Sequence, residues 1–260
     1  CVAQRELHLL RASIARGLSY TDIAPRLAFW RGAEEMDTEA RRTGARILLG
    51  AGLSPGISNM MARRLAERVG RAPCIETAIL LSLGDEYGPD SLNHVLEAVT
   101  EPFHVLERGS PRAARPFTEP TRVVFPAPVG PRTATLFPWS DVVYYPKTLG
   151  AKTAIGRIAF EPAWIGRLAT LLVRAGAPTW LKRPGLVHRN RRAIERLKRR
   201  YAGDDRFALV VTADGPDRSI SMSLVGRQQA EATAAGASEL VRELAESDGI
   251  PPGVWLPEQV

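Results

Sequence analysis

The spacing of apolar and polar residues over the first seventy positions predicts alternating helices and strands. Leu9, Leu10 and Ile14 share one helical face, and Gly17 supplies a helix stop. The predicted order is helix, strand, helix, strand and helix, over residues 8–17, 18–23, 26–43, 46–50 and 57–69. A glycine-rich turn separates the last strand from the last helix. Such alternation is typical of parallel α/β structure.

After Pro73 the pattern changes to short strands separated by proline and glycine. The predicted strands cover residues 77–83, 103–107, 121–125, 133–136, 142–145 and 153–160, and a hairpin joins 207–212 to 219–225. Helices are expected over 90–99, 162–175, 189–201 and 228–247. Short strands divided by turn residues favour antiparallel or mixed pairing. The sequence therefore predicts an α/β region followed by an α+β region with a mixed sheet.

Composition restricts the class of protein. Hydrophobic residues make up 45% and charged residues 24% of the 260 positions, as in ordinary globular proteins. No apolar run reaches the roughly 18–20 residues that a membrane helix needs, so no membrane partner is expected. The 2 cysteines and 4 histidines show no metal-ligand spacing. These features favour a protein without a metal site in a reducing cytoplasm.

The net charge of +7 comes from one segment of the chain. Residues 181–200 hold nine Lys or Arg and one acid, so this segment carries +8 and the remainder is about −1. No aromatic residues interleave there for base stacking, so nucleic acid is not an expected partner. A solvated surface helix is one interpretation of the segment. The alternative is a non-catalytic binding protein that uses this basic patch to hold phosphates.

Four segments carry a family resemblance, and they follow one another in the family's order. The turn within Gly50–Met60 resembles the glycine–proline–glycine turn of saccharopine dehydrogenases and their relatives. Gly17–Asp22 is similar to the family's strand that ends at the cofactor edge. Gly84–Gly88 and Gly253–Glu258 look like a turn of the substrate domain and the closing phrase. The resemblance implies NAD(P)-dependent hydride transfer to or from a carbonyl, imine or enoyl carbon of a small molecule.

The resemblance also implies a domain organisation. Residues 1–56 correspond to the carboxy-terminal remnant of a Rossmann doubly wound sheet, and 57–226 to a mixed-sheet substrate and dimerisation domain. Residues 227–260 correspond to a helix and tail that return to the Rossmann side. A homodimer through the second-domain sheet is compatible with this division.

The family's Gly-x-Gly-x-x-Gly turn, whose amides cradle pyrophosphate, does not occur here. The chain opens at Cys1 rather than Met, and we expect it to lack the amino-terminal nucleotide-binding half. The choice between NAD and NADP stays open, because the deciding residue belongs to that half. An inactive truncated fragment is therefore an alternative for this chain on its own.

The glycine-rich turn supplies the candidate cofactor-binding residues, which are Gly52, Leu53, Ser54, Pro55 and Gly56. Amides at a helix start suit an anion, and the resemblance implies that the turn borders the nicotinamide and the substrate. Ser58 and Asn59 are candidate substrate-binding residues. Relatives that act on amino acids tend to carry acidic or histidine residues at these positions, which argues against saccharopine itself. The alternative is an ordinary helix start shaped by Gly and Pro with a serine cap.

Five further side chains are candidates. Tyr20 and Asp22 end a strand, where open α/β sheets bind ligands, and Asp22 is suited to orient Tyr20 toward a carboxamide or carbonyl. Alternatively, Asp22 caps the next helix. His94 is a candidate acid or base near neutral pH, or an ordinary exposed histidine. Tyr144 and Tyr145 either line the substrate pocket or pack against the sheet.

Overall fold

The computed structural model describes residues 6–70, 74–85, 103–176, 196, 204–246 and 249–260. The candidate His94 lies outside the described residues, and so does the basic 181–200 segment apart from Arg196. The described helices are α1 (His8–Ala15), α2 (Leu27–Glu34), α3 (Asp37–Thr43), α4 (Ile57–Val69), α5 (Ser140–Thr148), α6 (Trp164–Arg174) and α7 (Gln229–Glu246). Among these helices, none is long and apolar enough to cross a membrane.

The described strands form two sheets. They are β1 (Tyr20–Thr21), β2 (Arg46–Leu48), β3 (Cys74–Ser82), β4 (Phe103–Glu107), β5 (Ser110–Ala114), β6 (Thr121–Val124), β7 (Pro131–Leu136), β8 (Thr153–Glu161), β9 (Arg206–Asp214), β10 (Ser219–Arg227) and β11 (Gly253–Trp255). A final 3₁₀ turn covers Pro257–Gln259.

The small sheet is parallel throughout and has the order β1-β2-β11. Ile47 in its central strand pairs with Tyr20 on one side and with Val254 on the other. Trp30 and Ile47 are fully buried in one cluster with Leu10 from α1, so helices α1 and α2 cover this sheet with apolar side chains. The end of the chain, expected as an extended tail, supplies the third strand.

The large sheet is mixed, with the path β10-β9-β3-β8-β4-β5 and with β7 also paired to β8. β3 and β8 run parallel, whereas β9 and β10 form the predicted antiparallel hairpin over nine residue pairs. α4 packs against β9 and β10, and its Leu65 and Val69 join the core of this sheet. The architecture confirms the predicted fold class of α/β structure with a mixed second sheet. The domain boundaries at residues 56 and 226 stay a prediction.

The sequence prediction is wrong for residues 142–145, which lie in helix α5 rather than in a strand. Valine and tyrosine favour strands, but packing outweighs this preference here. Val142 and Tyr145 bury on one helical side in the core of the large sheet, while Tyr144 buries beside Trp30 under the small sheet. Residues three apart share a helical face, as Val142 and Tyr145 do here, whereas a strand would place Val142 on the same face as Tyr144.

Candidate functional site

The site is built around the segment Gly52–Gly56, here called the bend, which joins the end of β2 to the start of α4. Gly56 has φ of 130°, and a Cβ on it would lie 1.9 Å from the Gly52 carbonyl oxygen. Gly52 N–H donates to the Pro55 carbonyl at 3.0 Å, and the Ser54–Pro55 peptide is cis. The bend is therefore a tight loop that only glycine at position 56 permits.

The first amides of α4 are engaged within the bend. Ile57 N–H donates to the Gly52 carbonyl at 2.9 Å, and Ser58 N–H donates to the Leu53 carbonyl at 3.0 Å. Gly56 N–H donates to Asn59 Oδ1 at 2.8 Å. The sequence-based expectation of open amides for an anion is therefore wrong, because the loop satisfies its own helix start. Contact between the bend and a nicotinamide ring stays a proposal.

Tyr20 and Asp22 lie beside the bend, at the end of strand β1. Ala51 N–H donates to the Asp22 backbone carbonyl at 2.7 Å. The Asp22 carboxylate accepts from Tyr20 Oη and from Ala24 N–H, both at 3.0 Å. Burial raises the pKa of Asp22, opposed by the hydrogen bonds from Ala24, Tyr20 and the Gly50 N–H. Both side chains remain partly exposed, so this carboxyl is poised at a surface that a ligand can reach.

Asp22 does not cap the following helix. α2 begins at Leu27 after Arg26, and no side chain caps it. The carboxylate instead closes a local turn at Ala24. The alternative interpretation of Asp22 as a helix cap is therefore wrong, and its catalytic role stays a prediction.

Thr21, between these two residues, carries an unsatisfied polar atom. Its Oγ1 is buried and has no hydrogen-bond partner within the part of the chain that the structure describes. Buried hydroxyls nearly always find a partner, so an orphaned one at the carboxyl end of a parallel strand indicates a place for a ligand's polar group.

Asp141, a carboxylate that the sequence analysis missed, accepts hydrogen bonds from three of the predicted site residues. Asp141, in the first turn of α5, accepts from Ser54 Oγ and Tyr145 Oη at 3.2 Å and also from Ser58 Oγ. Asp141 is fully buried, and burial raises its pKa against the effect of these hydrogen bonds. The start of α5, which carries Asp141, is fixed in position because Ser140 Oγ donates to the Pro25 carbonyl.

A second missed carboxylate, Glu258, lies in the final 3₁₀ turn. Its Oε2 accepts from Asn59 Nδ2 at 2.6 Å, and its Oε1 accepts from Thr148 Oγ1 at 2.8 Å. Asp141, Glu258 and their partners form one buried polar cluster, whose members are Ser54, Ser58, Asn59, Asp141, Tyr145, Thr148 and Glu258. Neither carboxylate forms an ion pair with any residue in the described ranges.

The four candidate substrate-binding residues are buried. Ser58, Asn59 and Tyr145 have no exposed surface, and Tyr144 is 5% exposed. Tyr144 Oη donates to Glu34 at 3.1 Å, where burial and the Glu34 charge raise the tyrosine pKa. The structure thus places these side chains under the surface as supports, not as lining of an open pocket. Ser54 is the cluster member on the bend that keeps some exposure.

Comparison with known proteins gives a likeness of fold. No protein-family model and no curated protein matches the chain. Among solved structures, saccharopine dehydrogenase (L-Glu forming) from Saccharomyces cerevisiae is similar over 96% of this chain and 76% of that chain, with a TM-score of 0.58 and 13% identity. The chain therefore shares its fold with this structure over most of its length.

Two weaker likenesses are found as well. DAP dehydrogenase of C. glutamicum matches 100% of this chain and 74% of that chain, with a TM-score of 0.46 and 11% identity. Dihydrodipicolinate reductase from Paenisporosarcina sp. TG-14 matches 97% and 68%, with a TM-score of 0.39 and 7% identity.

Proposed function

We propose that this chain serves NAD(P)-dependent hydride transfer to or from a carbonyl, imine or enoyl carbon, with the nicotinamide end of the cofactor at the bend. The observation that carries the proposal is the hydrogen bond from Ala51 N–H to the Asp22 carbonyl at 2.7 Å. It joins the carboxyl ends of two adjacent parallel strands, which is where open α/β sheets bind ligands. The oxidoreductase fold supports the same assignment.

The residues present fit one end of such a cofactor. Thr21 Oγ1 lacks a partner within the described residues, and Ser54 Oγ gives its proton to Asp141 and keeps its lone pairs. Ser54 Oγ can accept from the amide N–H of a carboxamide, and Thr21 Oγ1 has a proton to donate. The engaged amides at the start of α4 do not fit a pyrophosphate. We therefore assign only the nicotinamide end to Gly52, Leu53, Ser54, Pro55 and Gly56.

The cofactor supplies the hydride donor or acceptor when bound, and the protein manages the proton. Tyr20 Oη is the group that donates a hydrogen bond to the carboxamide of the nicotinamide, or to the substrate's carbonyl oxygen or imine nitrogen. In the structure Tyr20 Oη donates its one proton to Asp22 at 3.0 Å. Tyr20 is therefore a donor to a ligand when Asp22 is protonated and donates to the tyrosine oxygen instead. Because burial raises the pKa of Asp22, its carboxyl holds a proton more readily than an exposed aspartate does. Asp22 can thus return a proton to Tyr20 after transfer.

A fluorescence titration of the full chain with NADH and with NADPH tests the proposal and separates the two cofactors. We expect a saturable change that Asp22→Asn weakens and that Glu35→Gln, at an exposed glutamate, leaves unchanged. Carbonyl, imine and enoyl compounds then test which carbon accepts the hydride. Absence of binding for both cofactors, with retention on a phosphate-rich matrix, would favour the basic patch interpretation.

A further inference from the structure

Glu258 connects the end of the chain to the bend through a single side chain. Its carboxylate is 3% exposed and accepts from Asn59 Nδ2 at 2.6 Å. Asn59 in turn accepts from Gly56 N–H through Oδ1 at 2.8 Å. Gly56 is the residue whose backbone conformation closes the bend. A line of two hydrogen bonds thus runs from the final 3₁₀ turn to the middle of the candidate site.

The chemistry of the Asn59 amide makes this line directional. An asparagine side chain has one end that accepts and one end that only donates. The Glu258 carboxylate needs a donor, so it selects the orientation in which Nδ2 faces it and Oδ1 faces Gly56. Rotation of the amide by half a turn would set Nδ2 against the Gly56 N–H, with two donors facing each other. Glu258 therefore decides which end of Asn59 meets the bend.

We propose that Glu258 is a positioning residue of the nicotinamide site, which holds the Gly56 N–H, and with it the bend, through Asn59. The binding of a nicotinamide ring at the bend rests on the proposed function, whereas the hold of Glu258 on Gly56 does not. The closing strand β11 and the final turn then belong to the site, although they lie about two hundred residues from the bend in sequence.

The surroundings of Glu258 give this tie a dependence on pH. Burial raises the pKa of Glu258 to about 7 against the hydrogen bonds from Thr148 and Asn59, and the Asp141 carboxyl raises it as well. The other titratable groups that bear on it are Tyr144 and Tyr145 of α5, and Arg63 of α4, which binds the Val260 carbonyl. Since the folded pKa lies above the ordinary value, the contribution of Glu258 to the free energy of unfolding is complete at low pH and is lost as pH rises through about 7. The hydrogen bond from Asn59 by itself favours the carboxylate form of Glu258.

Residue-resolved hydrogen exchange of the Gly56 amide tests the hold directly. We expect Glu258→Ala to increase Gly56 exchange about tenfold or more at pH 6, and Glu258→Gln to restore protection, because glutamine can still accept from Asn59 and donate to Thr148. Thr148→Val is the matched control, since it removes the other bond of Glu258 and leaves Asn59 in place. It should change Gly56 exchange by less than about threefold.

The pH dependence of Gly56 exchange is a second measurement, which a role of Glu258 in packing alone would not change. After correction for intrinsic exchange, Gly56 protection in the wild type should change between pH 5 and pH 8, as Glu258 loses its proton, while Glu258→Gln should show the same protection at both pH values. Equal Gly56 exchange in the wild type and Glu258→Ala, or equal pH profiles in the wild type and Glu258→Gln, would overturn the hold.

Titration with NADH and NADPH separates this inference from the proposed function. Weaker binding by Glu258→Ala, restored in Glu258→Gln, supports the positioning role. Unchanged binding by Glu258→Ala contradicts that role while the proposed function stands. If the wild type binds neither cofactor, the proposed function and the nicotinamide part of this inference both fail, and Gly56 exchange alone decides whether Glu258 holds the bend.

Discussion

Two sets of carboxyl groups meet the bend, and they differ in what surrounds them. Asp22 is partly exposed and takes two of its hydrogen bonds from backbone N–H groups, of Ala24 and Gly50. Asp141 and Glu258 are buried, and side-chain hydroxyls and an amide supply most of their donors. Burial raises the pKa of all three carboxyls, so the shift alone does not distinguish them. The three carboxyls are distinguished by their exposure to solvent.

This difference separates the proposed catalytic carboxyl of Asp22 from the two carboxyls that hold neighbouring side chains in place. The backbone donors are fixed by the ends of β1 and β2, so the Asp22 carboxylate stays in position and remains accessible to a ligand. The buried polar cluster depends on every one of its members, because each lost partner leaves another polar atom buried and unsatisfied. Substitutions of Asp141 should therefore lower stability first, and substitutions of Asp22 should lower ligand binding first.

The largest expected effect comes from the glycine that closes the bend. Gly56→Ala places a Cβ 1.9 Å from the Gly52 carbonyl oxygen and forces alanine to φ of 130°. We expect a loss of about 4 kcal/mol or more in the free energy of unfolding, measured by denaturant titration. Gly44→Ala, at φ of 81° with no atom within 4 Å, is the control and should cost about 1 kcal/mol. Similar losses in both variants would show that overlap within the bend is unimportant.

Loss of the Asp141 carboxylate should come next. Asp141→Ala leaves the buried hydroxyls of Ser58 and Tyr145 without their acceptor. We expect the free energy of unfolding to fall by about 3 kcal/mol, and by less in Asp141→Asn, which keeps an acceptor oxygen. Asp217→Ala, in the exposed hairpin turn, serves as the comparison and should be nearly neutral. A neutral Asp141→Ala would remove the distinction between the two sets.

Asp22→Asn should affect cofactor binding more than stability. Asparagine can still accept from Ala24 N–H and still contact Tyr20, so the free energy of unfolding should change by less than about 1 kcal/mol. Nicotinamide cofactor binding, followed by fluorescence, should weaken about tenfold, because the carboxyl that orients Tyr20 is gone. If stability falls while binding is unchanged, Asp22 belongs with the structural carboxyls.

The smallest effect is expected at Thr21. Thr21→Val removes a buried hydroxyl that has no partner in the described chain, so the free energy of unfolding should rise by up to about 1 kcal/mol. Cofactor binding should weaken about fivefold if that hydroxyl meets the carboxamide. Thr121→Val, at an exposed strand position, controls for the change in strand preference. Improved stability with unaltered binding would place the ligand elsewhere.

Sequence alone was sufficient for strands β1 and β2 of the small sheet and for the bend, but not for β11. Gly17, Gly44 and the run Gly52–Gly56 mark the ends of local elements, and local signals of this kind do not depend on distant partners. The placement of Tyr20 and Asp22 at a strand end follows from the same local pattern. The engaged amides at the start of α4 were not predictable, because their acceptors depend on how the loop turns back on itself.

The buried polar cluster was beyond local reasoning. Asp141 lies 83 residues from Ser58 and Glu258 lies 199 residues from Asn59. Residues 142–145 carry strand-forming side chains, so the helix that brings Asp141 to the bend is dictated by tertiary packing. The one sequence signal was the closing phrase, where Glu258 stands among apolar residues and prolines that make a solvated acid unexpected.

The place of β11 beside β2 bears on the order in which the molecule matures during synthesis. The strand that flanks Ile47 and the acid that orients Asn59 both leave the ribosome after every other element of the site. Until then one edge of β2 is unpaired and the Asn59 amide lacks its acceptor. In this state the chain can be bound by chaperones or can pair wrongly. The candidate site is thus completed by residues that are made after its other elements.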